Sequence, residues 1–201
     1  MPTGPKTSRG RASRERIVES AAELVAERGV HATSLDDVRA VAGASKSQLY
    51  HYFANRDELV EAAVAYRCEQ VLAVLTEPLH DVSTLAQLAQ VLDEMVASYE
   101  KHPSACPIGS LAGEVADRNE AARLHTVAAF AAWEGLLERA LERIRDSGEL
   151  RADVAPDALA MSILASIEGG LLLSHVRKDP QSLRVALNGA LGYMHSLKSL
   201  D

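Results

Sequence analysis

Residues 33–53, TSLDDVRAVAGASKSQLYHYF, decide how this chain folds. Leu35, Val38, Ala42, Leu49 and Phe53 recur at spacings that give each of two short helices one apolar face. Gly43 falls between them, where a tight turn joining crossing helices needs a residue without Cβ strain. Ser34 precedes Asp37 by three, Ser45 precedes Gln48 by three and Asn55 precedes Glu58 by three. At that spacing a side-chain oxygen accepts an orphan N–H at a helix start; Gln48 completes a capping box, and Asp37 and Glu58 are looser relatives of it. The pattern is that of a helix-turn-helix. A plain helical hairpin with a polar face is the alternative that spacing alone leaves open.

Working outward, Ile17, Ala21, Leu24 and Val25 mark a helix from Ser13 that Gly29 closes. Residues 1–12, rich in Pro, Gly, Ser and Thr and carrying Lys6, Arg9 and Arg11, read as a mobile basic arm. Beyond Asn55 the helices lengthen. Val60, Val64, Cys68, Val71 and Leu75 form one stripe that Pro78 is expected to end, and Leu85, Leu88, Leu92, Met95 and Tyr99 form the next. Two prolines in 102–107 break the chain before a short helix near Pro107. A long helix is expected from about Arg118 to Asp146, then two more over about 156–177 and 181–198. No segment alternates with period 2, so the expected fold is all-α, with about nine helices.

Composition agrees: 47% hydrophobic and only 4% aromatic residues, with abundant Ala and Leu, favour helix over sheet. No apolar run approaches the roughly 20 residues of a membrane span, and the basic start lacks the apolar core of a secretory signal. Two cysteines, Cys68 and Cys106, build no disulfide framework, which points to a cytoplasmic setting. The net charge of −7 is unevenly placed. Residues 1–56 hold nine Lys/Arg against six Asp/Glu, and residues 57–201 hold twelve against twenty-two, so a +3 head sits on a −10 body. That asymmetry suits a chain whose N-terminal end meets phosphate.

The order of residues, 33–38 followed by Ala42–Phe53 and then Asn55-Arg56-Asp57-Glu58-Leu59, resembles the N-terminal signature of the TetR/AcrR family of transcription regulators. The resemblance runs more loosely over the rest, including the Gly148-Glu149-Leu150-Arg151 to Ala158 junction. It implies three regions: the basic arm 1–12, a DNA-binding domain over 13–56, and a ligand-binding and dimerisation domain over 57–201. It also implies a repressor that binds a palindromic operator as a homodimer and is released by a small, mostly apolar molecule, with no membrane, cofactor or metal.

Carried over position by position, phosphate contacts fall on Thr33, Ser45, Lys46, His51, Tyr52 and Arg56, and base contacts on Ser47, Gln48 and Tyr50. The implied ligand pocket takes candidates Tyr66, Met95, Tyr99, Cys106, Ile108, Leu111, Phe130, Trp133 and Glu168. Glu168, beside Gly169 and Gly170 in an apolar helix, is the polar group most in need of a partner. The dimer surface is expected on the last two helices, at Ile163, Ile167 and Leu171 and along Leu183, Leu187, Ala190, Met194 and Leu197.

An enzyme is the rival class. The chain has no G-x-S-x-G, H-E-x-x-H, P-loop or dinucleotide fingerprint. A metal site at His102, Cys106 and His125 would rest on a two-ligand spacing in a proline-broken loop.

Overall fold

A computed structural model describes residues 7–199. Among them the chain forms nine α-helices: α1 (Ser8–Arg28), α2 (Leu35–Val41), α3 (Lys46–Tyr52), α4 (Arg56–His80), α5 (Leu85–Lys101), α6 (Pro107–Val115), α7 (Glu120–Asp146), α8 (Pro156–Arg177) and α9 (Gln181–Ser196). A single antiparallel bridge, Leu150 to Lys198, is the one extended pairing among the described residues.

The helix starts follow the capping chemistry. Ser34 and Asp37 form a reciprocal capping box, as do Ser45 and Gln48, so Asp37 does more than the looser role expected of it. The Ser34 hydroxyl and backbone N–H hold the Asp37 carboxyl below its ordinary pKa. Asn55 Oδ1 accepts from Glu58 N, and Glu58 answers by accepting from Ala54 N. Gly29, Gly43 and Gly148 end or join helices with φ of 83°, 58° and 88°.

Two boundaries differ from expectation. Residues 8–12 of the expected arm are helical, because Thr7 caps α1 by accepting from Gly10 N; Met1–Lys6 lie outside the described residues. Pro78 does not stop α4, which continues to His80. Proline forfeits its own N–H bond and crowds the carbonyl four residues back, a local cost that falls only two residues from the end of α4.

The chain divides into two compact units, and neither is contiguous in sequence. The first runs through Val71 and takes in Pro107–Ala129. Its core gathers Ile17, Val18, Ala21, Ala22 and Leu24 of α1 with Val38, Ala42, Ala44, Phe53, Leu59 and Ala63. Arg14 stacks over the Phe53 ring at 5.2 Å, and Arg16 Nε donates to Ala42 O at 2.9 Å, tying α1 to the α2 end.

The second unit comprises Leu72–Cys106 and the chain from Phe130 onward. Leu85, Leu88 and Leu92 of α5, Trp133, Leu137, Leu141 and Ile144 of α7, and Ile163, Ile167, Leu183 and Leu187 are all buried. Arg143 donates through Nε to Val82 O and through Nη2 to Leu79 O, both at 2.8 Å, satisfying carbonyls at the end of α4. Glu149 Oε2 accepts from Leu85 N at the start of α5. Helices α8 and α9 pack closely at Gly170, where an added Cβ would lie 2.9 Å from Leu183 Cα.

Burial divides the expected partner surface. Ile163, Ile167, Leu183, Leu187 and Met194 are all nearly inaccessible, and Leu171, Ala190 and Leu197 are half-buried. The five inaccessible side chains face the chain's own core, where α8 packs on α9 and α9 on α5. What remains outside is a different stripe: Met161, Leu172, Val176, Val185 and Tyr193, interleaved with exposed Ala165, Gly169, Gly189 and Gly192.

Candidate nucleic-acid interface

Helix α3 has one buried side chain, Leu49, which anchors it to the core of the first unit. Lys46, Ser47, Gln48, Tyr50 and His51 are exposed, as is Ser45 at the cap. A seven-residue helix held by Leu49 and the half-buried Tyr52 thus displays a polar face at its remaining positions. The capping box uses Gln48 Oε1, which accepts from Ser45 N at 2.9 Å, and Ser45 Oγ, which accepts from Gln48 N at 3.1 Å. Both acceptors are taken, while the Gln48 amide N–H groups and the Ser45 hydroxyl proton stay available to donate. The box therefore orients the two donors and does not compete with them. Tyr52 packs against the core and meets His51 edge-on at 5.0 Å, keeping its ring half-buried beneath the exposed imidazole.

Two of the expected phosphate contacts serve the frame. Thr33 is buried and its hydroxyl donates to Gly29 O at 2.9 Å. Arg56 donates through Nε to Thr33 O and through Nη2 to Val30 O. These bonds satisfy the carbonyls of the turn between α1 and α2, which would otherwise be left without partners. The expected contact set thus separates into an exposed group (Ser45, Lys46, Ser47, Gln48, Tyr50 and His51), the half-buried Tyr52, and a framing pair, Thr33 and Arg56. Spacing could not reveal the framing bonds, because Arg56 reaches carbonyls 23 and 26 residues earlier.

The expected pocket residues divide between the units. Tyr66, Ile108 and Leu111 belong to the first; Met95, Tyr99, Cys106, Phe130, Trp133 and Glu168 belong to the second. Within the second, Tyr99, Cys106 and Trp133 are buried and Met95 and Phe130 are half-buried. The Glu168 carboxyl is hydrogen-bonded to the Cys106 thiol, and its Oε1 is buried without a partner. Burial pushes the Glu168 pKa up, with the Cys106 bond opposing. Tyr99 Oη and His175 Nδ1 are likewise buried and unpartnered; His175 lies two turns from Glu168 on the same side of α8 and was not among the sequence candidates. Among the described residues no three His, Cys, Asp or Glu side chains gather as a metal site, and His102 is exposed while Cys106 is buried.

Residues 17–63 match the model for bacterial regulatory proteins of the tetR family, and residues 84–190 match the tetracyclin repressor-like C-terminal domain. The chain belongs to the TetR family of transcription regulators. It is 34% identical to the HTH-type transcriptional regulator Rv0196 of Mycobacterium tuberculosis, over 83% of this chain and 86% of that protein. It is 32% identical to the HTH-type regulator YxaF of Bacillus subtilis, over 88% and 92% of the two chains. The crystal structure of a TetR-family regulator from Cytophaga hutchinsonii shares the fold at a TM-score of 0.84 and 22% identity, covering 98% of this chain and all of that one. The regulator is a DNA-binding protein of a non-enzymatic family, and the helix-turn-helix is its DNA-binding element.

Proposed function

We propose that this TetR-family regulator is a cytoplasmic repressor that reads a palindromic operator as a dimer and releases it on binding a small, mostly apolar molecule. The observation that carries the reading is the α3 surface, where five exposed polar side chains surround one buried leucine. Lys46, Ser45 and His51 face phosphate, and Ser47, the Gln48 amide and Tyr50 face base edges. Thr33 and Arg56 act through the frame, with Tyr52 holding its hydroxyl toward the backbone. One such helix reads only a few base pairs, so useful specificity requires two.

The second copy is supported by the exposed stripe of Met161, Leu172, Val176, Val185 and Tyr193. Apolar side chains contiguous on two helices, with small residues between them, form a surface on which another pair of helices packs closely. Ligand response is supported by Tyr99 Oη, Glu168 Oε1 and His175 Nδ1. Native interiors pair their buried polar groups, and these three await hydrogen-bonding partners within an apolar body. A ligand that favours the released state changes the separation of the two α3 helices, which must match about one turn of DNA, roughly 34–36 Å. By reciprocity, its affinity falls when operator is bound.

The test is in vitro selection from a random duplex library with the full-length chain. Paired, inverted half-sites about one helical turn apart are expected. Gln48→Ala should change the bases recovered, and Lys46→Ala should lower the salt slope of binding by about 1. Recovery of unpaired half-sites, or no enrichment at low salt, overturns the reading. A thermal-shift screen of small lipophilic and cationic compounds, with hits retested for release of the selected duplex, tests the ligand arm.

A further inference from the structure

Within the first unit, the DNA-binding head is held by more than α4. Helix α1 ends at Arg28, and Gly29, at φ 83°, turns the chain so that the N–H groups of Val30 and His31 leave the helix end. Both donate to the Glu114 carboxylate of α6, at 2.7 and 3.4 Å, across more than 80 residues of sequence. A Cβ at position 29 would lie 2.9 and 3.0 Å from the two Glu114 oxygens. Glycine there serves the backbone turn and also leaves the space the carboxylate occupies.

The neighbouring residues extend the grip. The Arg118 guanidinium lies 3.0 Å from the His31 ring. Asn119 donates from Nδ2 to Asp57 O near the start of α4, while its Oδ1 caps α7 by accepting from Ala122 N. His125 Nε2 lies 3.4 Å from Glu61 Oε1. On the other side of the turn, Arg56 takes the Val30 and Thr33 carbonyls. Val30 is therefore held at its N–H by an anion and at its C=O by a cation, and charge-assisted bonds of this kind are the stronger ones. Four residues later, at Ser34, the cap of α2 begins, and α3 follows one glycine turn beyond α2.

We propose that Glu114 is a positioning residue for operator recognition: its carboxylate clasps the Val30 and His31 N–H groups and fixes the attitude of the α2–α3 hairpin on the α6–α7 segment. The head is then oriented by two ties, the covalent one through α4 and the hydrogen-bonded one through Glu114. The specificity this residue controls is the spacing between half-sites, not the bases within each. The inference rests on the paired half-site reading above.

Its test uses the full-length chain and the duplex that the wild type selects, with spacers lengthened or shortened by one and two base pairs. Wild type should discriminate sharply among spacers. Glu114→Ala, and Glu114→Asp with a side chain too short to reach both N–H groups, should cut that discrimination at least about fivefold, the lower end of ordinary coupling between sites. Half-site sequence preference should be unchanged. Glu114→Gln keeps an acceptor oxygen and should restore the spacing profile. Hydrogen exchange at the Val30 and His31 amides should quicken in the Ala and Asp variants and not in Gln. An unchanged spacing profile in Glu114→Ala, or equal exchange at these two amides in wild type and variant, overturns the proposal. If wild type enriches no paired half-sites, the operator reading fails instead, and the amide exchange then decides the clasp by itself.

Discussion

Gly170→Ala is expected to destabilise the regulator although alanine is the better helix former. The new methyl carbon would stand 2.9 Å from Leu183 Cα, 3.0 Å from Leu183 Cδ1 and 3.3 Å from Ala186 Cβ. Comfortable carbon–carbon separations are roughly 3.5–4.0 Å, so α8 and α9 would have to part by about 0.6 Å or more. Leu183 is fully buried, and its nearest atom is backbone, so no rotamer change relieves the clash. Overpacking of this kind costs about 1–3 kcal/mol, with a backbone clash toward the upper end. Replacing glycine inside a helix returns about 1 kcal/mol. The net loss is about 1–2 kcal/mol, which at roughly 2–4 °C per kcal/mol lowers the melting temperature by about 2–8 °C. The control is Gly113→Ala in α6, where nothing lies within 4 Å of the new Cβ and only the helix preference acts. That variant should be stabilised by about 0.5–1 kcal/mol. Melting of both variants by circular dichroism should give shifts of opposite sign. A rise for Gly170→Ala matching that of Gly113→Ala would refute the argument that close approach of α8 and α9 sets this position.

Val185→Glu places a charge in the exposed apolar stripe of α9 and is expected to convert a dimer to a folded monomer with lost operator affinity; sedimentation at micromolar concentration checks it, and a wild-type monomer would remove the premise. Arg143→Ala strips the partners from the Val82 and Leu79 carbonyls and should cost about 2–4 kcal/mol in denaturant melts, far more than Arg145→Ala, whose side chain reaches only the adjacent Asp146. Glu168 has its folded pKa raised by burial, so the folded chain holds the proton that the unfolded chain releases, and stability falls as pH rises above the unfolded value of about 4.5. Glu168→Gln should therefore melt higher than wild type at neutral pH and converge with it in acid.

What the sequence determined by itself is local. Caps, glycine turns and the helix-turn-helix arise from interactions spanning three or four residues, and Ser34, Ser45, Asn55 and Gly43 act where their spacing places them. The exposed face of α3 was legible for the same reason, since Leu49 and the half-buried Tyr52 turn inward and leave Lys46, Ser47, Gln48, Tyr50 and His51 to solvent. Tertiary structure alone decided matters that depend on which surfaces meet. Helix α8 is apolar on more than one side, and periodicity ranks no side above another. Packing against α9 drew Ile163 and Ile167 inward and left Met161, Leu172 and Val176 outside. The assignment of Arg56 to the turn carbonyls, of Glu168 to the Cys106 thiol and of Glu114 to the Val30 N–H belongs to the same class. Each joins groups distant in the chain, and a charged side chain's partner is whichever unpaired polar group the fold carries into its reach.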